Sequence, residues 1–388
     1  MTNRKRILLN ILIVLLFPIA VGNIILAFHQ GLQPARGQDF QWSGTFMVLH
    51  HIDPWKQALT GDKQHLILLN QVPNYLHETY LLLVPFGLMG FHKARILWAV
   101  VNCSMCLISM LILGSYFRLG SRLTLLLALI FFSGYPFRQS LGYGQQDFFE
   151  LLTFCCAFCL APIAVRGIAL GLSYVKYNFS PVFVFYLLFK KSWKIVLISM
   201  IPPLLGLLGV WIMVRTPLAT LIVEPFMVSR NGVVVTAADV MALTRWLAAY
   251  VLPWHQVEML SYLAGIVASA VYSFHLSKAR YLSDRAVVAC LATASIVMMR
   301  HGFYDFIFLV VPLANIKNLT RESAKVASAL IFGFFWYGAR ISTLMSVNAR
   351  MVLDIVLIAA LLYFIESNDR LKDSGSKVPV EQFRPSIP

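Results

Sequence analysis

The sequence predicts an all-α integral membrane protein that crosses the bilayer many times. Of its 388 residues, 59% are hydrophobic and only 13% are charged, whereas soluble domains carry about 25% charged residues. Apolar stretches at 7–28, 195–214 and 326–345 have the length of about 20 residues that a helix needs to span the hydrocarbon core. Because backbone polar groups inside lipid must pair within their own segment, these spans are expected to be helices.

The distribution of basic residues predicts about ten crossings with both termini in the cytoplasm. The basic run 4–6 precedes the first apolar stretch, which has no small-residue cleavage site and is expected to stay as an uncleaved span. Residues 29–77 and 215–256 then form two large outer loops. Residues 1–366 are expected to form one transmembrane domain, followed by a disordered cytoplasmic tail over residues 367–388.

Two apolar segments are predicted to enter the membrane without crossing it in one piece. Residues 79–91 are too short for an ordinary span, and the positions of Arg118 and Arg122 favour a re-entrant segment over a crossing. Residues 167–189 have cations at both ends and are expected to form two half-helices broken near 176–178. Such a break is tolerated where it lines a cavity or packs on protein.

The first outer loop is predicted to carry short helices at the membrane surface. Trp42, Phe46 and Leu49 recur at helical spacing, which indicates an interfacial helix with Trp42 at headgroup depth. Asp53 and Pro54 have the pattern of an N-cap followed by the first residue of a second helix.

Composition and motifs exclude several function classes. The net charge of +15 fits basic cytoplasmic loops, and no Lys/Arg-rich arm with interleaved aromatics indicates nucleic-acid binding. The six cysteines lie in apolar runs and are expected to be small buried hydrophobes. No glycine-rich GK[ST] loop supports nucleotide use. His50, His51, His65 and His77 lack a short, fixed ligand spacing, so no metal and no other cofactor is expected.

Asp39, in the stretch GQDFQW at 37–42, is the leading catalytic candidate. It follows the first span closely, which puts a carboxylate at the water–lipid boundary, within reach of an acceptor hydroxyl and a lipid phosphate. The alternative is that Asp39 only caps the interfacial helix. Lys176 lies at the predicted helix break, where a desolvated ammonium needs a partner, although it is equally compatible with a cation that extends to the interface.

Several motifs, in order along the chain, resemble those of the polyprenyl-phosphate-sugar-dependent transferases of the GT-C superfamily. The closest resemblance is to the polyprenol-phosphate-mannose-dependent α-mannosyltransferases. The resembling stretches are the outer-loop pair Asp39–Phe40, LLVPFGLMGFHKARILWAVVNCSMCLISMLIL at 82–113, Gly144–Gln145 before an apolar run, GIALGLSYVKYNFSP at 167–181, and Tyr304–Asp305 before an apolar run to Pro312. The sequence departs from the family pattern at Pro73, which is distant from a tight Tyr-Pro-Pro element, and at Asp147, where a neutral residue is usual.

The resemblance implies that Asp39 is the base of a single displacement with inversion at the anomeric carbon. The leaving group is a polyprenyl phosphate, whose departure needs cations rather than a general acid. The candidates for binding the donor phosphate are Lys176, Arg300 and Arg138. The candidates for binding the acceptor or the sugar are His301, Tyr304, Asp305, Gln145 and Trp42. Asp305 is also expected to pair with a cation such as Arg300 or Lys176, and plain interfacial or loop roles stay open for His301, Arg138 and Gln145.

The sequence therefore predicts a membrane glycosyltransferase that moves a hexose or pentose from a polyprenyl-phosphate donor to a cell-envelope glycan or glycolipid, such as O-antigen or a lipoglycan. The expected location is the bacterial cytoplasmic membrane with the active site facing the periplasm. The membrane of the endoplasmic reticulum is the alternative location. Its partners would be the two substrates and membrane lipids, with no nucleic acid. The alternatives are a transporter or flippase, which needs internal symmetry, a glycan ligase, which favours a more Arg-rich outer loop, and a non-catalytic scaffold.

Overall fold

The computed structural model describes residues 3–33, 39–231, 239–338 and 344–373 of the chain. Within these ranges every regular element is an α-helix or a short 3₁₀-helix, which confirms the all-α class. The first nine α-helices are α1 (Asn3–Leu32), α2 (Trp42–Leu49), α3 (Pro54–Leu59), α4 (His77–Leu82), α5 (Val84–Gly87), α6 (Phe91–Tyr116), α7 (Ser121–Ser133), α8 (Tyr135–Tyr143) and α9 (Asp147–Cys159).

The second part of the chain is equally helical. Its α-helices are α10 (Ile163–Leu172), α11 (Ser180–Phe189), α12 (Trp193–Ser199), α13 (Ile201–Val214), α14 (Leu218–Asn231), α15 (Val240–Ala248), α16 (Trp254–Lys278), α17 (Asp284–Met298), α18 (Val310–Asn315), α19 (Glu322–Tyr337) and α20 (Val347–Asp373). Short 3₁₀ segments cover Leu68–Asn70, Ser173–Lys176, Phe303–Leu309 and Ile316–Asn318.

Five helical segments in the described ranges are long and apolar enough to cross a membrane. They are Arg6–Leu32, Phe91–Tyr116, Trp193–Val214, Trp254–Lys278 and Val347–Asn368. The apolar helices α7, α11 and α14 are shorter. The chain is therefore an integral membrane protein, as predicted, and the count of about ten crossings stays a prediction.

The core is built around α17, which packs against α11, α16, α18 and α20. Most of its residues are buried, and many of them are alanines, whose small side chains let neighbouring helices approach closely. Beside it the rings of Phe154, Phe183 and Phe308 pack with centroids 5.0 to 5.7 Å apart. The turn Phe303–Leu309, which follows α17, is therefore held on a rigid base.

The predicted break in the segment 167–189 is confirmed. Helix α10 ends at Leu172, the turn Ser173–Lys176 follows, and α11 begins at Ser180. Gly171 allows the close approach of α10 to α12, because a Cβ at this position would overlap the Ser199 carbonyl. The buried faces of α10 and α11 and the polar turn between them agree with a break that packs on protein.

The predicted helix exists as α2, but much of it is buried against protein. Its position in the membrane interface stays a prediction. Six of its eight residues are buried. The Trp42 indole donates to the carbonyls of Phe86 and Met89 at 3.1 and 3.0 Å, so Trp42 is held against α5. The second predicted helix is confirmed, since the Asp53 carboxylate caps α3 by accepting from the backbone of Trp55 and Lys56.

The predicted boundary of the disordered tail is also wrong. Helix α20 continues to Asp373, so residues 367–373 are helical. The cause is a contact with the start of α19: buried Asn368 accepts a hydrogen bond from the backbone N–H of Arg321 at 3.1 Å, and its carbonyl accepts from Thr320 at 3.0 Å. Residues 374–388, to which the rest of that prediction applies, lie outside the described residues.

Candidate active site

The break between α10 and α11 brings a buried lysine between two carboxylates. The Lys176 ammonium forms ion pairs with Asp147 at the start of α9 and, at 2.7 Å, with Asp305 in the turn after α17. All three side chains are almost inaccessible to solvent. The predicted pairing of Asp305 with a cation is confirmed, and Lys176 does not extend to the interface as the alternative proposed.

Each of these carboxylates has a second partner that fixes its position. The Ser140 hydroxyl donates to the other oxygen of Asp147 at 2.9 Å. The backbone N–H of Gly302 donates to the second oxygen of Asp305 at 2.6 Å. A buried ion pair is retained only when such bonds satisfy the remaining lone pairs, so this cluster is a rigid wall of the site.

Asp39 is held differently, by neutral groups. It lies half-buried in a turn before α2, its backbone N–H donates to the Tyr143 carbonyl at 3.1 Å, and its carboxylate accepts from the Gln145 side-chain amide. The residue at the N-cap of α2 is Gln41, which makes no side-chain cap. The alternative role of Asp39 as a helix cap is therefore wrong. Gly37 and Gln38 of the same motif lie outside the described residues.

Burial raises the pKa of Asp39 above its usual range. The positive charge of Lys176 and the hydrogen bond from Gln145 lower it, while the negative charge of Asp147 adds to the rise. A carboxylate with a raised pKa is a stronger base than a solvated one. The environment of Asp39 therefore suits proton abstraction better than a surface aspartate would.

Asp39 and the lysine cluster face one cavity of about 120 Å³. It is lined by side chains from Asp39, the segment before α4, the helix break, α14 to α16 and the turn after α17. Of the nine predicted site residues, six line it: Asp39, Lys176, Arg300, His301, Tyr304 and Asp305. Gln145 lies directly behind Asp39 as its hydrogen-bond donor.

Comparison with known proteins assigns the enzyme class. The sequence model of glycosyltransferase family 87 matches residues 79–293, which is more than half of the chain. The chain belongs to glycosyltransferase family 87. It is therefore a membrane glycosyltransferase that acts on a sugar donor and an acceptor. No curated protein and no solved structure matches the chain.

The matched range covers only part of the site of this family 87 enzyme. It includes Gln145, Asp147 and Lys176, whereas Asp39 and the segment 300–305 lie outside it. The membrane glycosyltransferase class predicted from the sequence is confirmed, and it replaces the transporter and scaffold alternatives. The donor type, the acceptor and the role of each site residue stay predictions.

Two predicted site residues of the transferase do not reach the cavity. The Trp42 indole is engaged by two backbone carbonyls under α5. The Arg138 guanidinium, on α8, lies 5.4 Å over the ring of Tyr135 and does not line the cavity. The predicted roles of Trp42 in sugar binding and of Arg138 in phosphate binding therefore have no support in this geometry.

Several residues of the site were missed by sequence reasoning. Asp239, at the N-cap of α15, is fully buried, and its Oδ2 lies 3.6 Å from Nδ1 of His301. The cavity also contains the polar side chains of Asn74, Asn178 and Tyr262. The only available signal was the N-cap position of Asp239 before a helical stretch, which does not indicate a partner 62 residues away in sequence.

No group of three or more His, Cys, Asp or Glu side chains in the described ranges is placed to hold a metal ion. Two of the acidic groups at the site, Asp147 and Asp305, pair with the Lys176 ammonium instead. The expectation that no cofactor is needed is not tested by this arrangement and stays a prediction.

A larger hollow, of about 510 Å³, adjoins the cavity between α14 and α16. Tyr177 and Tyr262 line both spaces. The remaining lining includes Phe226, which is 49% exposed, and Met259, which is 71% exposed. We call this space the α14–α16 hollow. Its mouth is bordered by apolar side chains that the bilayer would cover.

Proposed function

We propose that this family 87 enzyme transfers a sugar from a polyprenyl-phosphate donor to a hydroxyl of a cell-envelope glycan or glycolipid, with Asp39 as the general base. The observation that carries the proposal is the geometry around Asp39. One carboxylate, held by a neutral amide, faces a cavity whose other walls carry Lys176, Arg300 and His301. The cavity adjoins an apolar hollow, which suits a substrate with a charged head and a hydrocarbon tail.

In this proposal the acceptor oxygen attacks the anomeric carbon while Asp39 takes the hydroxyl proton. The new bond joins the acceptor oxygen to the anomeric carbon, and the bond from that carbon to the phosphate oxygen breaks. The products are the glycosylated acceptor with inverted configuration, polyprenyl phosphate and protonated Asp39, which then releases its proton to water. Gln145 orients the carboxylate for this step, since its amide donates to Asp39.

Arg300 is the best-supported of the predicted phosphate ligands. Lys176 also lines the cavity, but its ammonium is already engaged by Asp147 and Asp305. Arg300 lines the cavity, and its backbone carbonyl accepts from the side-chain amide of Asn178, the residue after Tyr177, which lies on the boundary with the α14–α16 hollow. A guanidinium there would stabilise the charge that develops on a departing phosphate. Lys176 then has the role of organising the two carboxylates.

The α14–α16 hollow is the proposed site of the isoprenoid tail. Most of its wall area is apolar and includes exposed Phe226 and Met259, while His255 and Glu258 also line it. A tail would enter along the apolar part of this wall. The phosphate would then lie at Tyr177 and Tyr262, beside Arg300. The outer face of a bacterial cytoplasmic membrane is the proposed location, in keeping with the position of Asp39 after a span preceded by basic residues.

The test is a transfer assay with the purified protein in lipid nanodiscs. The donors are polyprenyl-phosphate mannose and glucose, the acceptors are alkyl glycosides, and the product's anomeric configuration is read by NMR. We expect transfer with inversion. Transfer with retention, or turnover only with a polyprenyl-diphosphate-linked oligosaccharide, would contradict the proposal, and the second result would favour a glycan ligase.

A further inference from the structure

The end of helix α6 that is farthest from the catalytic cavity carries several basic side chains. Helix α6 begins at Phe91, whose ring centroid is 6.4 Å from that of Phe40, the residue after Asp39. It continues for 26 residues to Tyr116, which corresponds to a length of about 39 Å at 1.5 Å per residue. Its last turn is therefore at the opposite end of a membrane-spanning helix from the cavity.

Two cations from other parts of the chain meet at this end of α6. Nε of Arg285, in the first turn of α17, donates to the carbonyl of Tyr116 at 2.9 Å. The Lys317 ammonium, after α18, donates to the carbonyl of Arg118 at 2.9 Å. These bonds satisfy carbonyls that the end of a helix leaves unpaired. Each bond uses one N–H group, so further donors of the guanidinium and of the ammonium are left for a ligand.

The turn between α6 and α7 adds Arg118 and Arg122. Gly114 allows these two helices to approach closely, because a Cβ at this position would overlap the Thr124 side chain. The side chain of Arg118 is exposed and that of Arg122 is half-buried. Within the described ranges, neither guanidinium forms a hydrogen bond or an ion pair. We call this group of side chains the α6–α7 basic cluster: Arg118, Arg122, Arg285 and Lys317.

The backbone of Arg118 has a conformation that disfavours arginine. Its φ is 54°, in the left-handed region, and the N–H groups of Arg118 and Leu119 end α6 by donating to the carbonyls of Ser115 and Gly114 at 3.0 and 2.9 Å. Glycine is the usual residue at such a helix end, because it has no Cβ to strain. Strained residues of this kind concentrate at binding and active sites. A ligand for the guanidinium would offset the cost of arginine at this position.

The cluster has an excess of positive charge. Asp284, the residue before Arg285, is exposed in the first turn of α17 and brings one carboxylate to four cations. Like charges this close repel each other, and an anion bound among them would remove the repulsion. A phosphate group suits this arrangement, because a guanidinium can donate two parallel N–H groups to phosphate oxygens.

The surroundings of the cluster favour a lipid phosphate over a soluble one. Leu111 on α6 is 65% exposed and Leu125 on α7 is 47% exposed. Each lies within two helical turns of the cluster, on a helix that is apolar along its length. In an integral membrane protein such leucines face hydrocarbon, so the cations lie where the lipid headgroups begin. A phospholipid can place its acyl chains against these leucines and its phosphate among the cations, whereas a free phosphate makes only the second contact.

We propose that the α6–α7 basic cluster binds the headgroup of an anionic phospholipid on the membrane face opposite to the catalytic cavity. The phosphate connects three separate parts of the chain: the turn after α6, the start of α17 and the segment after α18. This site is distinct from the site of the sugar substrates, and the proposal does not depend on the function proposed above. In the membrane orientation proposed there, the bound lipid belongs to the cytoplasmic leaflet.

The experiment measures lipid binding to the purified full chain by native mass spectrometry, with phosphatidylglycerol and phosphatidylcholine of identical acyl chains. We expect the association constant for phosphatidylglycerol to be higher by about fivefold or more, because the anionic headgroup is attracted to the cluster. The thermal unfolding midpoint should also be higher in phosphatidylglycerol nanodiscs than in phosphatidylcholine nanodiscs. Equal affinity for the two lipids would overturn the proposal.

Inorganic phosphate is the third arm of this experiment and distinguishes a lipid from a free anion. It is added to the protein in phosphatidylcholine nanodiscs at the concentration used for phosphatidylglycerol. We expect the thermal unfolding midpoint to stay unchanged, because phosphate has no acyl chain to hold it at the site. A rise as large as that caused by phosphatidylglycerol would contradict the assignment of a lipid ligand.

Arg118→Gly separates lipid binding from folding. Glycine removes the guanidinium and also the left-handed strain, so in phosphatidylcholine the variant should unfold at the same temperature as the wild type or higher. Its preference for phosphatidylglycerol should fall by about threefold or more, since one of the phosphate-binding cations is lost.

Lys191→Gly is the matched control. Lys191 is an exposed cation just after α11, and its φ of 57° is also left-handed. The variant therefore has the same change of charge and of backbone freedom at a position outside the cluster, and we expect it to keep the wild-type preference. An equal loss in both variants would show that any surface cation attracts the lipid, and an unchanged preference in Arg118→Gly would remove the cluster as its site. Either result would overturn the proposal.

Discussion

Asp39 and Asp305 face the same cavity but are held in opposite ways. Asp39 accepts from the neutral amide of Gln145, whereas Asp305 is paired with the Lys176 ammonium at 2.7 Å. A neutral donor orients a carboxylate and leaves it a proton acceptor, while an ammonium neutralises its charge and commits it to structure. The difference separates the carboxylate available for chemistry from the one that holds the walls in place.

The largest expected effect on catalysis is that of Asp39→Asn. The variant keeps the shape of the side chain and removes the base, so turnover should fall by about 10²- to 10⁴-fold, the usual contribution of general base catalysis. Its thermal unfolding midpoint should match that of the wild type, because Asp39 caps no helix and forms no ion pair within the described part of the chain. Near-normal turnover by the purified variant would remove Asp39 from its proposed role.

The largest expected effect on stability comes from the other carboxylates. Lys176→Met leaves Asp147 and Asp305 buried without their cation, which should lower the free energy of unfolding by about 3–5 kcal/mol. The triple variant Lys176→Met/Asp147→Asn/Asp305→Asn removes the uncompensated charges and should recover part of the loss. Unfolding monitored by tryptophan fluorescence checks both, and a fully stable Lys176→Met protein with a raised donor KM would instead favour direct phosphate binding by Lys176.

Gln145→Leu tests how the neutral hydrogen-bond donor affects Asp39 as a base. The variant loses the hydrogen bond that lowers the pKa of Asp39, so that pKa should rise further above its usual range. Since the base acts only when deprotonated, the acidic limb of the kcat/KM profile should move to higher pH. We expect the loss of kcat/KM to be greatest on the acidic side of the profile, where less of the variant is deprotonated than of the wild type.

Turnover of Gln145→Leu should recover at a pH well above the shifted limb. A uniform loss at every pH would mean that Gln145 contributes through substrate contacts or packing and not through the protonation of Asp39.

Asp239→Asn should have the smallest effect. Asparagine is as good an N-cap as aspartate, so α15 should keep its stability. The lost charge lies 3.6 Å from the His301 ring, and the Asp239 carboxylate accepts only a long hydrogen bond of 3.4 Å from the His301 backbone N–H, so kcat/KM should fall less than tenfold. Asp239→Ala also removes the cap and should cost about 1 kcal/mol more in unfolding free energy. A thermal unfolding comparison of the two variants separates the cap from the charge.

The sequence was sufficient for the features that depend on local pattern. The cations flanking 167–189 located the helix break, Asp53 and Pro54 located α3, and an acid in an apolar run predicted a cation partner for Asp305. Each of these predictions follows from the free-energy cost of placing a charge or an unpaired backbone group inside lipid. A single stretch of sequence is enough to recognise such a group.

Features that depend on which neighbour covers a surface were not predictable. The apolar face of α2 is buried against protein. Because a protein core and lipid are both apolar, the sequence pattern of such a face is the same in either environment. Asp147 and Asp239 acquire their roles only from partners distant in sequence. The helical continuation to Asp373 depends on the contact of Asn368 with Thr320 and Arg321.

Chemical rescue tests most directly whether Asp39 is the base and Asp305 has a structural role. Asp39→Ala leaves space beside the acceptor hydroxyl, and added formate can supply a carboxylate there. We expect formate to raise the turnover of Asp39→Ala in a concentration-dependent way and to leave that of Asp305→Ala unchanged. Rescue of Asp305→Ala and not of Asp39→Ala would contradict this assignment, because it would show that Asp305 is the base.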